Sequence, residues 1–161
     1  MAETTRHAFQ EELQHLEDRT MEGLDIVVST LDRTLEAVQH QDIELASLVI
    51  ARHWSQQVEW AIHAPIAKAQ GLSAALIDAI AHGRRPAAMS DDEAAVHDFC
   101  TELLRTQAVG DANWARAVQR FGEQGAVDLL GIAGYYSFLA MVMNAARTAV
   151  PDSAAEPLPP L

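Results

Sequence analysis

The sequence predicts an all-α fold, a helical bundle with a long amphipathic helix at its N-terminus. Three observations carry this expectation. Apolar residues recur at steps of three and four through most of the chain, as on one face of a helix. Glycine and proline are sparse and fall mostly between the periodic segments, where they end helices. No stretch alternates apolar and polar residues as a half-buried strand does.

Phe9, Leu13, Leu16, Leu24, Val27, Leu31 and Val38 mark the first helix, from about residue 5 to 39, which Gly23 can bend. Gln39-His40-Gln41 is a polar break. Asp42 is the expected N-cap of a second helix, Ile43 to about Trp54. Ser55 is the expected cap of a third, Gln56 to about Gln70, closed by Gly71 and kinked or loosened by Pro65. Ser73 can cap a short helix through Ile80, ended by Gly83. Ser90-Asp91-Asp92-Glu93 has the form of a capping box, with Ser at N-cap and Glu at N3, and starts a helix reaching about Gln107. Asp111 is the expected cap of a helix ending near Gly122. From Gln124 to about Thr148 runs the most apolar helix, apolar nearly all round and so either central or buried in a subunit interface. The proline-rich tail reads as extended.

A chain of 161 residues, 49% apolar, suits one domain with its own core. Its expected parts are an N-terminal helix (1–42), a helical core (43–150) and a tail (151–161). The net charge is −12, with eleven acids and three arginines in residues 1–44 alone. Such a field repels phosphate backbones, so nucleic-acid binding is not expected. The longest apolar runs fall far short of a membrane span, and the polar N-terminus is unlike a signal peptide, so a cytoplasmic protein is expected. The single cysteine, Cys100, excludes an intramolecular disulfide and a Cys-based zinc site. Beside Phe99 and Leu103 it reads as a buried, inert thiol.

The segment with chemistry in it is Ala51 to Ala67, "ARHWSQQVEWAIHAPIA". Gln56, Glu59 and His63 stand at i, i+3 and i+7 and share one helix face. Glu59 and His63, at i, i+4, can hydrogen-bond directly, and a carboxylate beside an imidazole suits proton transfer near neutral pH. Glu44 opens an otherwise apolar run, "ELASLVIA", and the second helix can bring it to the same place. If Glu44 meets Glu59, one of the two carboxyls should titrate high. Such Glu-His pairs are also common on exposed helices, and Trp54 and Trp60 read as core as readily as platforms for a substrate. Gln56, His53 and Trp60 are the candidate substrate-binding residues. No compact metal motif is present, and neither metal nor cofactor is expected.

From Glu44 to Leu161 the chain resembles the carboxymuconolactone decarboxylase family, related to the alkylhydroperoxidase AhpD. The family pattern is a glutamate followed by C-x-x-C-x-x-x-H. Glu44 stands at the glutamate position, His63 at the histidine, and Ala67 and Gly71 follow in register. The cysteine positions hold Gln56 and Glu59, and "EWAIH" resembles the decarboxylase-type branch, as do "GAVDLLGIAGYYSFLAMVMNAA" and the "PLPPL" tail. The resemblance implies an AhpD-like bundle, a trimer or hexamer, and cofactor-free decarboxylation of a small acidic lactone. It implies His63 as general acid or base, Glu59 orienting it and Glu44 relaying a proton. Peroxidase chemistry would need the missing cysteine pair. The stretches "HAFQEELQHLEDRT" and "LDRTLEAVQHQDIELASLVIA", with an F-x-x-E-L start and a D-x-x-L-A-x-x-V-I second helix, instead make residues 1–50 resemble the N-terminal helices of PhoU-type phosphate-transport regulators. The alternative reading is therefore a non-enzymatic helical scaffold, a chimera of the two kinds of segment.

Overall fold

A computed structural model of the protein describes residues 40–151 and 157–160. The expected helix over residues 5–39 lies outside them. The described residues are all-α, with five helices and no strand: α1 (His40–His53), α2 (Gln57–Ala69), α3 (Ala74–Ala81), α4 (Asp91–Thr106) and α5 (Asp111–Ala146).

The centre of the bundle is α1, which packs against all four other helices. It is buried from Asp42 to Arg52 on every side, including its polar residues Asp42, Glu44, Ser47 and Arg52. Leu45, Leu48 and Ile50 are fully enclosed and meet Phe99 and Cys100 of α4 and Leu129 of α5 in one core. At roughly 25 cal/mol per Å², enclosing such side chains is the main force that brings the helices together. Polar groups at this depth need partners. Ser47 meets the requirement within its own helix, donating to the Ile43 carbonyl at 2.8 Å.

Two expected caps are displaced by one residue. Gln56, not Ser55, caps α2, its side-chain oxygen accepting from the Val58 and Glu59 amides. The Ser55 hydroxyl is engaged by Arg52, and its backbone takes a left-handed turn at φ 50°. Gly110, not Asp111, precedes α5. Its amide donates to the Glu102 carboxylate of α4, a cap reaching in from another helix. Asp42 is not a cap either, because it lies within α1, which is already helical at His40. Burial pushes the Asp42 carboxyl up to about 6, with Asp92 and Glu93 adding repulsion. The Ser73 cap and the Ser90–Glu93 capping box form as the sequence predicts. Pro65 does not end α2, which runs on to Ala69.

α5 breaks at Gly122, where the backbone takes φ 76° and ψ 172°. Beyond the break it is not buried all round. Ala126, Leu129, Ile132, Ala133 and Ala140 face the core, while Val127, Leu130, Tyr135, Phe138, Met141 and Val142 form an exposed stripe. α5 is also long and apolar enough to cross a membrane by length and composition, contrary to the expectation that no segment would be. Isolated polar residues such as Asp128 and Asn144 divide its sequence into short runs without making it polar.

The tail returns to the bundle. The Gln57 side-chain amide donates to the Leu158 carbonyl and accepts from the Leu158 amide, both at 2.9 Å. Arg52 donates to the Pro159 carbonyl, and the Leu158 side chain is buried.

Candidate active site

α1 and α2 run back over one another through the short turn at Trp54–Gln56, which sets one face of α2 against the N-terminal half of α1. This brings Glu44 and His63 into contact, with His63 Nδ1 at 2.8 Å from Glu44 Oε2. Their side chains are 11% and 13% exposed, so the pair is sheltered but reachable.

Glu59 lies one turn before His63 on α2 and is 3% exposed. The expected Glu59–His63 hydrogen bond does not form. Among the described residues, both carboxyl oxygens of Glu59 are buried without a hydrogen-bond partner. An ionised carboxylate is costly in that setting, which favours the protonated form. Burial pushes Glu59 up to about 7, and the neighbouring His63 pulls in the opposite direction. One carboxyl thus titrates high, as the sequence suggested, but from desolvation rather than from a clash with Glu44.

The fourth member was not foreseen. Tyr136 of α5 sets its ring edge-on to the His63 imidazole, with centroids 5.0 Å apart and planes at 90°. Burial raises its phenol above the ordinary tyrosine range, against a hydrogen bond with Ser47, with Glu44 and Glu59 adding to the rise. Tyr135, exposed on the apolar stripe, packs edge-on against Tyr136 at 5.3 Å. On α2, exposed Ile62 and Ile66 flank His63. The centre therefore lies just under an apolar surface.

The three expected substrate-binding residues are placed differently. Gln56 is buried, and its amide is engaged at both ends, capping α2 and donating to Asn144 Oδ1 at 3.1 Å. Asn144 in turn donates to the Trp54 carbonyl, so this network fastens the end of α5 to the α1–α2 turn. His53 is exposed at the end of α1, edge-on to Trp54, on the rim of a different cleft. Trp60 is a core residue that also lines a cleft of about 580 Å³ on the far side of α2, beside Pro157 and Pro159. Neither that cleft nor a larger one of about 760 Å³ is lined by Glu44, Glu59 or His63.

Cys100 is fully buried, and burial pushes its thiol up to about 12, which makes it inert as a nucleophile. Among the described residues no group of three or more His, Cys, Asp or Glu side chains is arranged to hold a metal ion. Compared with known proteins, the chain matches no family and no curated protein.

Proposed function

We propose that the protein is a cofactor-free acid–base enzyme of the carboxymuconolactone decarboxylase kind, acting on a small acidic lactone or related carboxylate in the cytoplasm. The observation that carries this reading is Glu59, a buried carboxyl without a hydrogen-bond partner, next to the Glu44–His63 pair. In decarboxylation the bond from a ring carbon to its carboxylate breaks, and carbon dioxide leaves. The electron pair passes into the conjugated lactone carbonyl, and the resulting enolate takes a proton at carbon. Glu59, raised by burial to about 7 and so partly protonated near neutral pH, is the donor. His63 acts as the general acid–base group that restores the Glu59 proton, and Glu44, not Glu59, orients it. Tyr136 closes the centre on the α5 side and keeps it dry.

The same reading makes the protein a homo-oligomer, a trimer or hexamer. The exposed stripe on α5 and the exposed isoleucines around His63 support it, because a contiguous apolar face marks an interaction surface. A second copy over that stripe would enclose the centre. A second reading, a non-enzymatic helical scaffold or chimera of PhoU-like and decarboxylase-like segments, is favoured by the position of both larger clefts away from Glu59.

The test is turnover of a panel of carboxylated lactones by wild type, His63→Gln, Glu59→Gln and Cys100→Ser. A positioned acid–base group contributes roughly 10²- to 10⁴-fold in rate. His63→Gln and Glu59→Gln should each lose most turnover, and Cys100→Ser should keep it. If wild type turns over none of the panel, the scaffold reading gains.

A further inference from the structure

The cleft of about 760 Å³ lies between the end of α1, the α3–α4 loop and one face of α4. We infer that it is a binding site for a small organic anion carrying two or more carboxylate or phosphate groups.

The first ground is charge. Arg52, Arg84, Arg85 and Arg105 line the cleft against two acids, Asp98 and Glu102. The chain carries −12 overall, and only eight lysines and arginines lie beyond residue 44, so half of them gather here. A cationic concavity on an anionic molecule focuses small anions.

The second ground is that, among the described residues, carboxylates engage only two of these four cations, Arg84 through Asp78 at 2.8 Å and Arg85 through Asp98 at 2.9 Å. Asp98 is shared between Arg85 and Arg116. Glu102 is occupied with the Gly110 amide and Asn113. Arg105 enters no ion pair among the described residues.

The third ground is Arg52. It is 6% exposed, and among the described residues its guanidinium donates only to neutral acceptors, the Ala81 carbonyl at 3.0 Å, the Pro159 carbonyl and the Ser55 hydroxyl. Its Nε is buried without any partner. A buried cation without a counter-charge is costly to the fold, and an anion entering the cleft supplies that charge. Val49, Ile80 and Leu104 give the cleft apolar wall against which a short carbon skeleton can lie. The volume falls within the range of small-molecule sites, roughly 300–1,000 Å³.

None of Glu44, Glu59 and His63 lines this cleft, so the inference stands apart from the decarboxylase reading. The test is calorimetric titration of the full chain with citrate and with inorganic phosphate. Glycerol, and sodium chloride at matched ionic strength, are the controls. Saturable binding of citrate or phosphate is expected in wild type and equally in His63→Gln. Preference between the two tells a polycarboxylate from a phosphate ligand. Arg52 also fastens the tail, so the exposed residues carry the mutational arm. Losing a charge-assisted hydrogen bond weakens binding by roughly tenfold or more, and Arg105→Gln with Arg84→Gln should show at least that. No saturable binding of either probe, a response that sodium chloride reproduces, or unchanged affinity in the double variant would overturn the inference.

Discussion

His63 Nδ1 stands 2.8 Å from Glu44 Oε2, although a carboxylate lies nearer in sequence, four residues earlier on its own helix. The contact crosses from α1 to α2, so it depends on the bundle and not on one helix. A double-mutant cycle on chemical stability should separate the two carboxylates. Glu44→Ala with His63→Ala should show a coupling of about 0.5–3 kcal/mol, the range for residues in one hydrogen-bonded network. Glu59→Ala with His63→Ala should show less, because no hydrogen bond joins that pair. Equal couplings would contradict the geometry.

Glu59 should also leave its mark on stability as a function of pH. Its carboxyl is raised from 4.5 to about 7 in the folded chain. The folded state therefore binds more protons than the unfolded one between those values, and stability falls as pH rises through them. At 1.36 kcal/mol per pH unit the full loss is on the order of 3 kcal/mol. Asp42, raised from 3.8 to about 6, acts with the same sign but at lower pH. His53, lowered from 6.5 by burial, acts with the opposite sign, so the Glu59 contribution in the window from about pH 6 to 7.5 is the difference between wild type and Glu59→Gln. Urea denaturation in that window should show a falling stability in wild type and a flatter line in Glu59→Gln. A slope that survives the substitution would assign it to another group.

Gly122 holds a backbone conformation, φ 76° and ψ 172°, that is essentially confined to glycine. A Cβ there meets nothing within 4 Å, so the whole cost of Gly122→Ala is backbone strain, about 1–3 kcal/mol. Gly131 and Gly134 also have open space around them, but they sit inside helix. Alanine at either should stabilise a free helix by roughly 0.5–1 kcal/mol. Thermal denaturation of the three variants should give opposite signs.

Phe138 is the most exposed large apolar side chain on the described surface, at 59%. If the α5 stripe is a subunit interface, light scattering should give a multiple of the 17.6 kDa chain mass. Phe138→Asp should then return the protein to the single-chain mass, because an unpaired charge cannot be buried there cheaply. A wild-type chain of 17.6 kDa at micromolar concentration would remove the interface.

What the sequence made legible was local. Ser73 and the Ser90–Glu93 box were readable because a side chain and an amide three residues away settle them. The break at Gly122 was readable because only glycine takes that conformation without strain. The misplaced caps had tertiary causes. Arg52 holds the Ser55 hydroxyl, and Glu102 reaches Gly110 from another helix. At the site, spacing offered Glu59 as the hydrogen-bond partner of His63, whereas the bond runs to Glu44. Helix periodicity places residues on a face without saying what faces them. Tyr136 left no signal, since an aromatic within an apolar helix reads as core until its neighbour is known to be His63.

The proposed chemistry rests on a carboxyl beside the Glu44–His63 pair that keeps its proton far above the ordinary glutamate range. The most direct measurement is infrared difference spectroscopy of the carboxylic acid C=O band, wild type minus Glu59→Gln, across a pH titration. A protonated-carboxyl band that belongs to Glu59 should persist well above pH 4.5 and disappear near pH 7. A Glu59 already ionised by about pH 5, in the range of ordinary glutamates, would contradict it.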